Sequence, residues 1–186
     1  NQALEVAVGL GEFLEAFFGK LTDAQVQKVL TCEYGGLNES FAELAARTRD
    51  EKWLRLARRI YDRSVLDPLM EERDDLANRH ANTQIPKLIG LGRIVEVSQD
   101  RRWMTGPEFF WKAVTQHHSY VIGGNADREY FSEPDTIAQH ITEQTCEHCN
   151  TYNMLKLTRQ YYASNPQATL FDYYERAHLN HILAAH

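Results

Sequence analysis

A ten-residue pattern that recurs after 50 residues restricts the fold more than any other feature of this sequence. Residues 44–53 (LAARTRDEKW) recur as residues 94–103 (IVEVSQDRRW), with an apolar residue, a hydroxyl side chain, an aspartate and a tryptophan at matching positions. A weaker third copy runs from residue 157 to residue 174. In each copy an apolar-periodic helix leads through a short polar turn into a second helix with aromatic residues, which is the pattern of an αα-hairpin.

The rest of the sequence also favours helices. No segment alternates between apolar and polar residues as a half-buried strand does, and β-branched residues are not clustered. The 186 residues, of which 43% are hydrophobic and 25% charged, suffice for one globular domain with a buried core. The fold class is therefore predicted to be all-α, built from αα-hairpin repeats.

Charge and hydropathy argue against two classes of partner. The formal net charge is −6 and no segment is rich in Lys and Arg, so no nucleic-acid partner is predicted. The pairs Arg58-Arg59 and Arg101-Arg102 are interpreted as solvated helix faces. No apolar run approaches the ~20 residues of a membrane span, so no membrane partner is predicted either.

Both ends of the sequence have helical patterns. Residues 1–18 carry a broad apolar face, and residues 179–185 are still helical and apolar. We therefore expect the 186 residues to be a partial domain, truncated at both ends and completed by the remainder of a longer parent chain.

The connections between hairpins are longer than the turns within them and contain the unusual residues. If the hairpins close into a toroid, these connections lie together at one end and line a central pocket. The longest connection, residues 119–150, is polar, and a loop of this length within a compact domain is more often functional than not. Four side chains that are far apart in the sequence are expected to converge at this end: Glu33, His80, Glu129 and Glu147.

The segment Cys146-Glu147-His148-Cys149 places two thiols, a carboxylate and an imidazole before an apparent helix. These side chains bind zinc or become thiolate nucleophiles. Glu147 and Cys149 leave an extended backbone in similar directions, so both could reach one metal ion, although zinc normally takes four ligands. The alternative is a Cys146–Cys149 redox pair, but the strand that usually precedes such a pair is missing from the pattern.

Four further residues are candidates for carbohydrate chemistry. Glu129 lies among aromatic residues, a position that suits a general acid, or it is a solvated glutamate paired with Arg128. His80 and Gln84 offer donors and acceptors for sugar hydroxyls, or they belong to an ordinary cluster at the start of a helix that Asn82 caps. The default interpretation of Glu175 is a surface ion pair with a neighbouring repeat.

Four blocks of the sequence, in the same order, resemble those of one family. They are residues 82–87 (NTQIPK), 119–125 (SYVIGGN), 147–159 (EHCNTYNMLKLTR) and 172–183, where DYYERA and NHIL are the matching parts. Together they are similar to the β-L-arabinofuranosidase family of glycoside hydrolases (family 127 and close relatives). The resemblance implies that residues 1–186 form a partial (α/α)6 toroid that acts as a catalytic domain.

The same resemblance implies roles for individual residues. Glu147 and Cys149 would bind zinc, and Glu129 would be the general acid/base. His80 and Glu175 would contact the sugar. Cys146 stands where the family usually has a small residue, and His148 replaces a hydroxyl residue.

The resemblance implies a retaining exo-glycoside hydrolase that releases terminal β-L-arabinofuranose or a related sugar from plant glycans. Its nucleophile would be a zinc-bound cysteine in a Cys-Cys pair beyond this chain, so the 186 residues alone are expected to be inactive. A plant-glycan role favours a periplasmic or secreted location. The alternative from another class is a non-enzymatic α-helical repeat module that binds carbohydrate or protein.

Overall fold

The computed structural model describes residues 2–32 and 34–185, and these form α-helices joined by turns and loops without any strand. The all-α fold class is therefore confirmed. No helix in the two described ranges is long and apolar enough to cross a membrane. The helices are α1 (Gln2–Gly19), α2 (Asp23–Val29), α3 (Leu37–Thr48), α4 (Glu51–Arg59), α5 (Arg63–Met70), α6 (Ala81–Ser98), α7 (Thr105–His117), α8 (His148–Ser164) and α9 (Ala168–Ala177).

The recurring sequence pattern is a recurring turn. At the end of α3 the Thr48 hydroxyl donates to the carbonyl of Leu44 (2.7 Å), and at the end of α6 the Ser98 hydroxyl donates to the carbonyl of Ile94 (2.7 Å). The next residue in each copy has a left-handed backbone, with φ of 59° at residue 49 and 61° at residue 99. These matching bonds explain why the last residue of the helix, Thr48 in α3 and Ser98 in α6, is a hydroxyl residue in both copies.

The aspartate of each copy then starts the following helix. Asp50 accepts from the backbone N–H of Lys52 (2.9 Å), and Asp100 accepts from that of Arg102 (3.2 Å). An aspartate at this position satisfies one of the backbone N–H groups that have no partner within the helix. The second copy starts a short 3₁₀-helix, Arg101–Met104, which leads directly into α7.

Three parallel helices, α3, α6 and α8, form one layer. The buried side chain of Asn38 in α3 donates to the Lys87 carbonyl of α6 (2.9 Å), and Asn153 in α8 donates to the Asn82 side chain of α6 (2.8 Å). A Cβ on Gly90 of α6 would lie 2.1 Å from the Asn38 amide oxygen, so this glycine permits the close approach of α3. Because the three helices are parallel, their N-termini meet at one end, here called the rim.

A second layer, formed by α4, α5, α7 and α9, covers the first. Trp111 of α7 joins the layers, because its indole N–H donates to Thr158 of α8 (2.9 Å) and its ring packs edge-on against Tyr173 of α9 at 5.7 Å. Trp53, the tryptophan of the first copy, is buried and stacks against Phe41 of α3. The αα-hairpins of the sequence pattern are thus confirmed, with the apolar surface between the layers as the core.

The long connection between α7 and α8 folds back onto the rim. Phe131 is its anchor: the ring is buried against Phe110 and His118, its N–H donates to the Arg79 carbonyl (3.0 Å), and its carbonyl accepts from Asn78 (2.8 Å). The connection contains one short 3₁₀-helix, Ile137–Gln139. Hydrogen bonds to the segment before α6 therefore fix the position of a loop that has almost no regular structure.

The recurring cap generates a stability prediction. Replacing Asp50 with Ala removes the acceptor for the Lys52 N–H, so the free energy of unfolding should fall by about 1 kcal/mol. Asp50→Asn keeps a side-chain acceptor and should stay within about 0.5 kcal/mol of the parent protein. Urea denaturation of both variants measures the difference, and equal losses would show that the cap bond contributes nothing.

Candidate functional site

Two helices begin next to each other at the rim. His80 is the residue that precedes α6, and Glu147 is the residue that precedes α8. The hydrogen bond between Asn82 and Asn153 joins the first turn of α6 to the second turn of α8. Both N-termini carry the partial positive charge of a helix start, so this end of the layer favours negative charge.

His80 is oriented by the first turn of α6. Its Nδ1 accepts from the N–H of Thr83 (3.3 Å) and lies 2.7 Å from the Thr83 hydroxyl, while the ring packs edge-on against Tyr130. A neutral ring that accepts at Nδ1 carries its proton on Nε2. Nε2 lies 3.4 Å from the Glu129 carboxylate, so the two side chains are within ion-pair distance.

Glu129 has an unusual backbone conformation in the long connection. Its φ is 73°, a left-handed value that costs a residue with a side chain of order 1–3 kcal/mol. The conformation is held by the Glu129 carbonyl, which accepts from the N–H of Ala81 (2.8 Å), and by the N–H of Arg128, which donates to the Gln144 carbonyl (3.1 Å). The carboxylate is 59% exposed, so a ligand could reach it.

Gln84 is a buried link beneath His80. Its amide donates to the His80 carbonyl (2.9 Å) and accepts from the ammonium group of Lys87 (2.9 Å), which forms a buried ion pair with Asp62 (2.7 Å). The ring of Tyr34 covers Lys87 at 4.7 Å. Because both ends of the Gln84 amide are engaged, the side chain positions His80 in this structure, and a direct contact between Gln84 and a sugar stays a prediction.

Glu147 and Cys149 are in contact. The thiol of Cys149 hydrogen-bonds to the Glu147 carboxylate, and this bond, together with the Glu147 charge, raises the pKa of the thiol above its ordinary value. The negative charge of Glu129 raises the same pKa further, which places Glu129 within electrostatic range of the pair. The acid proposed for one side of the pocket therefore does lie near the Glu147–Cys149 pair.

These two side chains fit half of a zinc site. Within residues 2–32 and 34–185, no group of three or more His, Cys, Asp or Glu side chains is close enough to hold a metal ion. Glu147 nevertheless has a buried carboxylate oxygen, Oε2, without a hydrogen-bond partner. A buried oxygen without a partner beside an accessible thiol suits a cation, for which oxygen and sulfur are both ligands, and two further ligands would be required.

A cavity of about 420 Å³ opens at this place in the rim. It is lined by residues 128–129 and 143–147, so both Glu129 and Glu147 face it. The predicted convergence of the connections is therefore observed for His80, Glu129 and Glu147. Glu33, the fourth member of that prediction, lies outside the described residues.

Cys146 belongs to a different environment from Cys149. Burial raises the pKa of the Cys146 thiol to about 11, and a Cβ on Gly124 would lie within 3 Å of both the Cys146 sulfur and Nδ1 of His181. Nδ1 of His181 lies 2.7 Å from the Thr151 hydroxyl. A reactive redox pair requires a thiol with a lowered pKa, so the raised values at both cysteines argue against that alternative.

Glu175 is set apart from the other predicted site residues. It lies on an exposed face of α9, and among the described residues it makes no hydrogen bond or ion pair with His80, Glu129 or the Glu147–Cys149 pair. Its predicted sugar contact stays a prediction.

Sequence reasoning assigned no role to three residues that support the rim. Asp62 and Lys87 form the buried pair that holds Gln84, and His181 packs against the start of α8 with its ring 4.7 Å from that of His148. Burial and, to a smaller extent, the charge of the nearby His148 lower the pKa of His181. The sequence around Lys87 gave no signal of its burial, because the residue is charged and α6 is covered on nearly all sides.

Comparisons with known proteins agree with this architecture. The chain matches the sequence model of the β-L-arabinofuranosidase, GH127 catalytic domain over residues 1–186. It is also similar in structure to the GH127 β-arabinofuranosidase BT3674, with a TM-score of 0.66 and 19% sequence identity over 77% of this chain. The matched region spans 24% of that solved chain. No match was found among curated proteins.

The structural match confirms the predicted fold, an all-α array of αα-hairpins that forms part of an (α/α)6 toroid. It also explains why α3, α6 and α8 are parallel, because alternate helices of such a toroid run in the same direction. At 19% identity the match concerns the fold and assigns no residue of the rim.

The buried ion pair generates a prediction that separates support from surface charge. Lys87→Met should lower the free energy of unfolding by about 3–5 kcal/mol, because it leaves the buried Asp62 carboxylate without a compensating charge. Lys156→Met, which removes the exposed ion pair with Glu39 on the same layer, should cost no more than about 1 kcal/mol. Thermal and urea unfolding of the two variants measure this difference, and equal costs would contradict the supporting role of Lys87.

Proposed function

The chain belongs to the β-L-arabinofuranosidase GH127 catalytic-domain family, and we propose that its rim contains the acid/base and half of the metal site of a retaining exo-glycosidase. The proposed substrate is a plant glycan that ends in β-L-arabinofuranose or a related sugar. The contact of His80 with Glu129, beside the Glu147–Cys149 pair, is the observation on which the proposal mainly rests.

Glu129 is the proposed general acid/base. Cleavage of a glycosidic bond requires a proton on the leaving oxygen, and in a retaining enzyme the same carboxyl group later removes a proton from the attacking water. The exposed Glu129 carboxylate faces the rim cavity and is close enough to His80 for an N–H···O contact. That contact would keep the carboxylate in one orientation while its proton moves to and from the sugar.

His80 is proposed to bind the sugar as well as orient Glu129. Its Nδ1 is already occupied by Thr83, and its Nε2 lies beside Glu129, which lines the rim cavity. A sugar hydroxyl could therefore accept from Nε2 without any change in the backbone before α6. Gln84, locked between His80 and Lys87, is proposed to fix this geometry.

Glu147 and Cys149 are proposed to hold zinc together with ligands from outside the 186 residues. The Glu147 oxygen that lacks a partner and the adjacent thiol supply one oxygen and one sulfur donor. Zinc, when bound, lowers the pKa of a coordinated thiol and so makes a thiolate available at neutral pH. The proposed nucleophile is a second zinc-bound cysteine, beyond residue 186, on the opposite side of the sugar from Glu129.

Separate functions follow for the two carboxylates near the Cys149 thiol. Glu147 has one oxygen buried and without a proton donor, so it is a poor group for exchanging protons with a substrate. Glu129 is exposed and flanked by an imidazole, so it can exchange protons with a bound sugar. This division assigns metal binding to the buried group and proton transfer to the exposed one.

Replacing Glu129 with Gln tests the acid/base assignment. In the full-length parent protein, Glu129→Gln should lower kcat on an aryl β-L-arabinofuranoside by at least about 10²-fold, because proton transfer contributes 10²–10⁴-fold to such rates. The metal content should not change. Glu143→Gln is the matched control, since Glu143 lines the same cavity without contacting His80, and it should keep activity within about threefold. Full activity of Glu129→Gln would disprove the assignment.

Metal analysis tests the zinc assignment independently of turnover. The full-length parent protein should contain one zinc per chain by mass spectrometry of the dissolved metal, and Cys149→Ser or Glu147→Gln should lower the occupancy and the affinity at least tenfold. Cys32→Ser is the matched control, because Cys32 is also an exposed free cysteine but lies outside the rim cavity. A metal-free protein with full activity, or equal loss of metal in all three variants, would contradict this part of the proposal.

A further inference from the structure

A second cavity, of about 570 Å³, lies away from the rim cavity, between α2, α4 and the turn after α6. This volume is in the range of sites that bind small molecules. Its walls are unusual for a chain with a net charge of −6, because four of the ten lining residues are arginines and only one is acidic. The lining residues are Asp23, Val26, Gln27, Arg58, Arg59, Tyr61, Arg63, Met70, Arg102 and Trp103.

The fold brings together arginines that are separate in the sequence. Arg58 and Arg59 end α4, whereas Arg102 follows α6 and belongs to the second copy of the repeated pattern. Hydrogen bonding to Arg102 and, to a smaller extent, the charge of Arg58 lower the pKa of Asp100 to about 2. The charge of Arg58 therefore reaches the second copy of the pattern. The interpretation of the pairs Arg58-Arg59 and Arg101-Arg102 as solvated helix faces is therefore incomplete. Every member of the two pairs except Arg101 borders this cavity.

Of the four arginines that line the cavity, two already have structural partners. Arg59 donates to the backbone carbonyls of Phe18 and Leu21, which connects α4 to the end of α1. Arg102 forms a two-pronged contact with Asp100 through Nε (2.9 Å) and Nη2 (2.8 Å). These two residues shape the cavity and add positive potential, but their hydrogen-bond donors are partly occupied.

The other two, Arg58 and Arg63, have donors to spare. Among the described residues neither forms an ion pair, and Nε of Arg58 is buried without a hydrogen-bond partner. A buried N–H group of a cation without an acceptor costs free energy, so such a group indicates an acceptor that the protein itself does not supply. An oxyanion in the cavity could accept from the remaining donors of Arg58 and from those of Arg63, because guanidinium groups match the geometry of carboxylates and phosphates.

The remaining wall is aromatic and apolar. Tyr61 and Trp103 pack edge-to-face at 5.8 Å, and Val26 and Met70 extend this surface. Burial and a hydrogen bond to Asp67 both raise the pKa of the Tyr61 hydroxyl. Because this hydroxyl is engaged, the aromatic ring is the part of Tyr61 that is available to the cavity. A cavity that needed only an inorganic anion would have no use for this wall, whereas a ring-shaped organic anion would contact both parts.

We propose that this cavity binds an anionic sugar, one that carries a carboxylate or a phosphate group. The oxyanion would lie between Arg58 and Arg63, and the sugar ring would pack on the Tyr61–Trp103 wall. The choice of a sugar rather than another cyclic anion rests on the proposed glycosidase function, and the site would then hold an acidic unit of a glycan away from the cleavage site.

The new cavity is separated from the rim by the length of α6. Arg102 and Trp103 follow the C-terminus of this 18-residue helix, whereas His80 precedes its N-terminus, a distance of roughly 27 Å at 1.5 Å per residue. A bound sugar at the cavity therefore cannot touch Glu129. Binding there and cleavage at the rim can be measured separately.

Calorimetric titration of the purified Glu129→Gln protein, which should not turn over a glycan, tests the proposal with four probes. These are a uronic-acid disaccharide, a hexose phosphate, a neutral disaccharide and inorganic phosphate. We expect one of the two anionic sugars to bind at least about tenfold more tightly than the neutral disaccharide and than inorganic phosphate, with the stronger of the two identifying the anionic group. Binding of the neutral disaccharide as tightly, or of inorganic phosphate as tightly, would overturn the proposal.

Arginine variants locate the binding. Arg58→Gln and Arg63→Gln should each weaken the anionic sugar about tenfold, the loss expected for one charge-assisted hydrogen bond. Arg101→Gln removes the same charge from the neighbouring turn, where Arg101 faces Glu108 at 3.8 Å, and should leave binding unchanged. An equal loss with Arg101→Gln, or none with the other two, would overturn the site. The same arginine substitutions, made in the parent protein that keeps Glu129, should leave the hydrolysis of a neutral aryl β-L-arabinofuranoside unchanged. A failure of binding is therefore distinguishable from a failure of the catalytic assignment.

Discussion

The parallel packing of α6 between α3 and α8 is the constraint on which the rest of the structure depends. Gly90 lets α3 approach closely, and the Asn82–Asn153 bond fixes the start of α8 against the start of α6. With that register set, the segments that precede the helices must meet at one end. His80 and Glu147, 67 positions apart, become neighbours of one pocket for this reason, and a slip of one helical turn would move one of them about 5.4 Å along the axis.

The rim combines strain with strong support. Left-handed backbone angles at Ala126, Arg128, Glu129 and Cys146 all fall in the long connection, and each of them costs free energy. The buried ring of Phe131 and its paired backbone bonds hold the connection in place, while the Lys87–Asp62 pair supports His80 from below. Proteins generally keep such strained conformations only where the surroundings determine them completely. One of these positions is the proposed acid/base Glu129, and Arg128 and Cys146 line the same cavity.

The sequence predicted the fold well because its signals are local. Apolar periodicity, a hydroxyl and an aspartate in each turn, and paired tryptophans sufficed to identify the hairpins, and the aspartates do start the helices. The approach of Glu129 to His80 follows from the array, so it could be expected before any distance was known. The partners of Gln84 could not, because the burial of Lys87 against Asp62 depends on the register between helices. The arginine cavity was hidden for the same reason: Arg58 and Arg102 meet only in three dimensions.

The turns at the opposite end from the rim are closed by their own hydrogen bonds. Thr48 and Asp50 complete one turn, and Ser98 and Asp100 complete the other, without help from any residue of the rim. The hydrogen bonds that close these turns and the proposed catalytic residues therefore lie at opposite ends of the layer. A protein engineer could lengthen the Thr48–Asp50 turn, attach a reporter there or split the polypeptide at that turn, and the geometry of the rim cavity would still be specified by the helices that carry it.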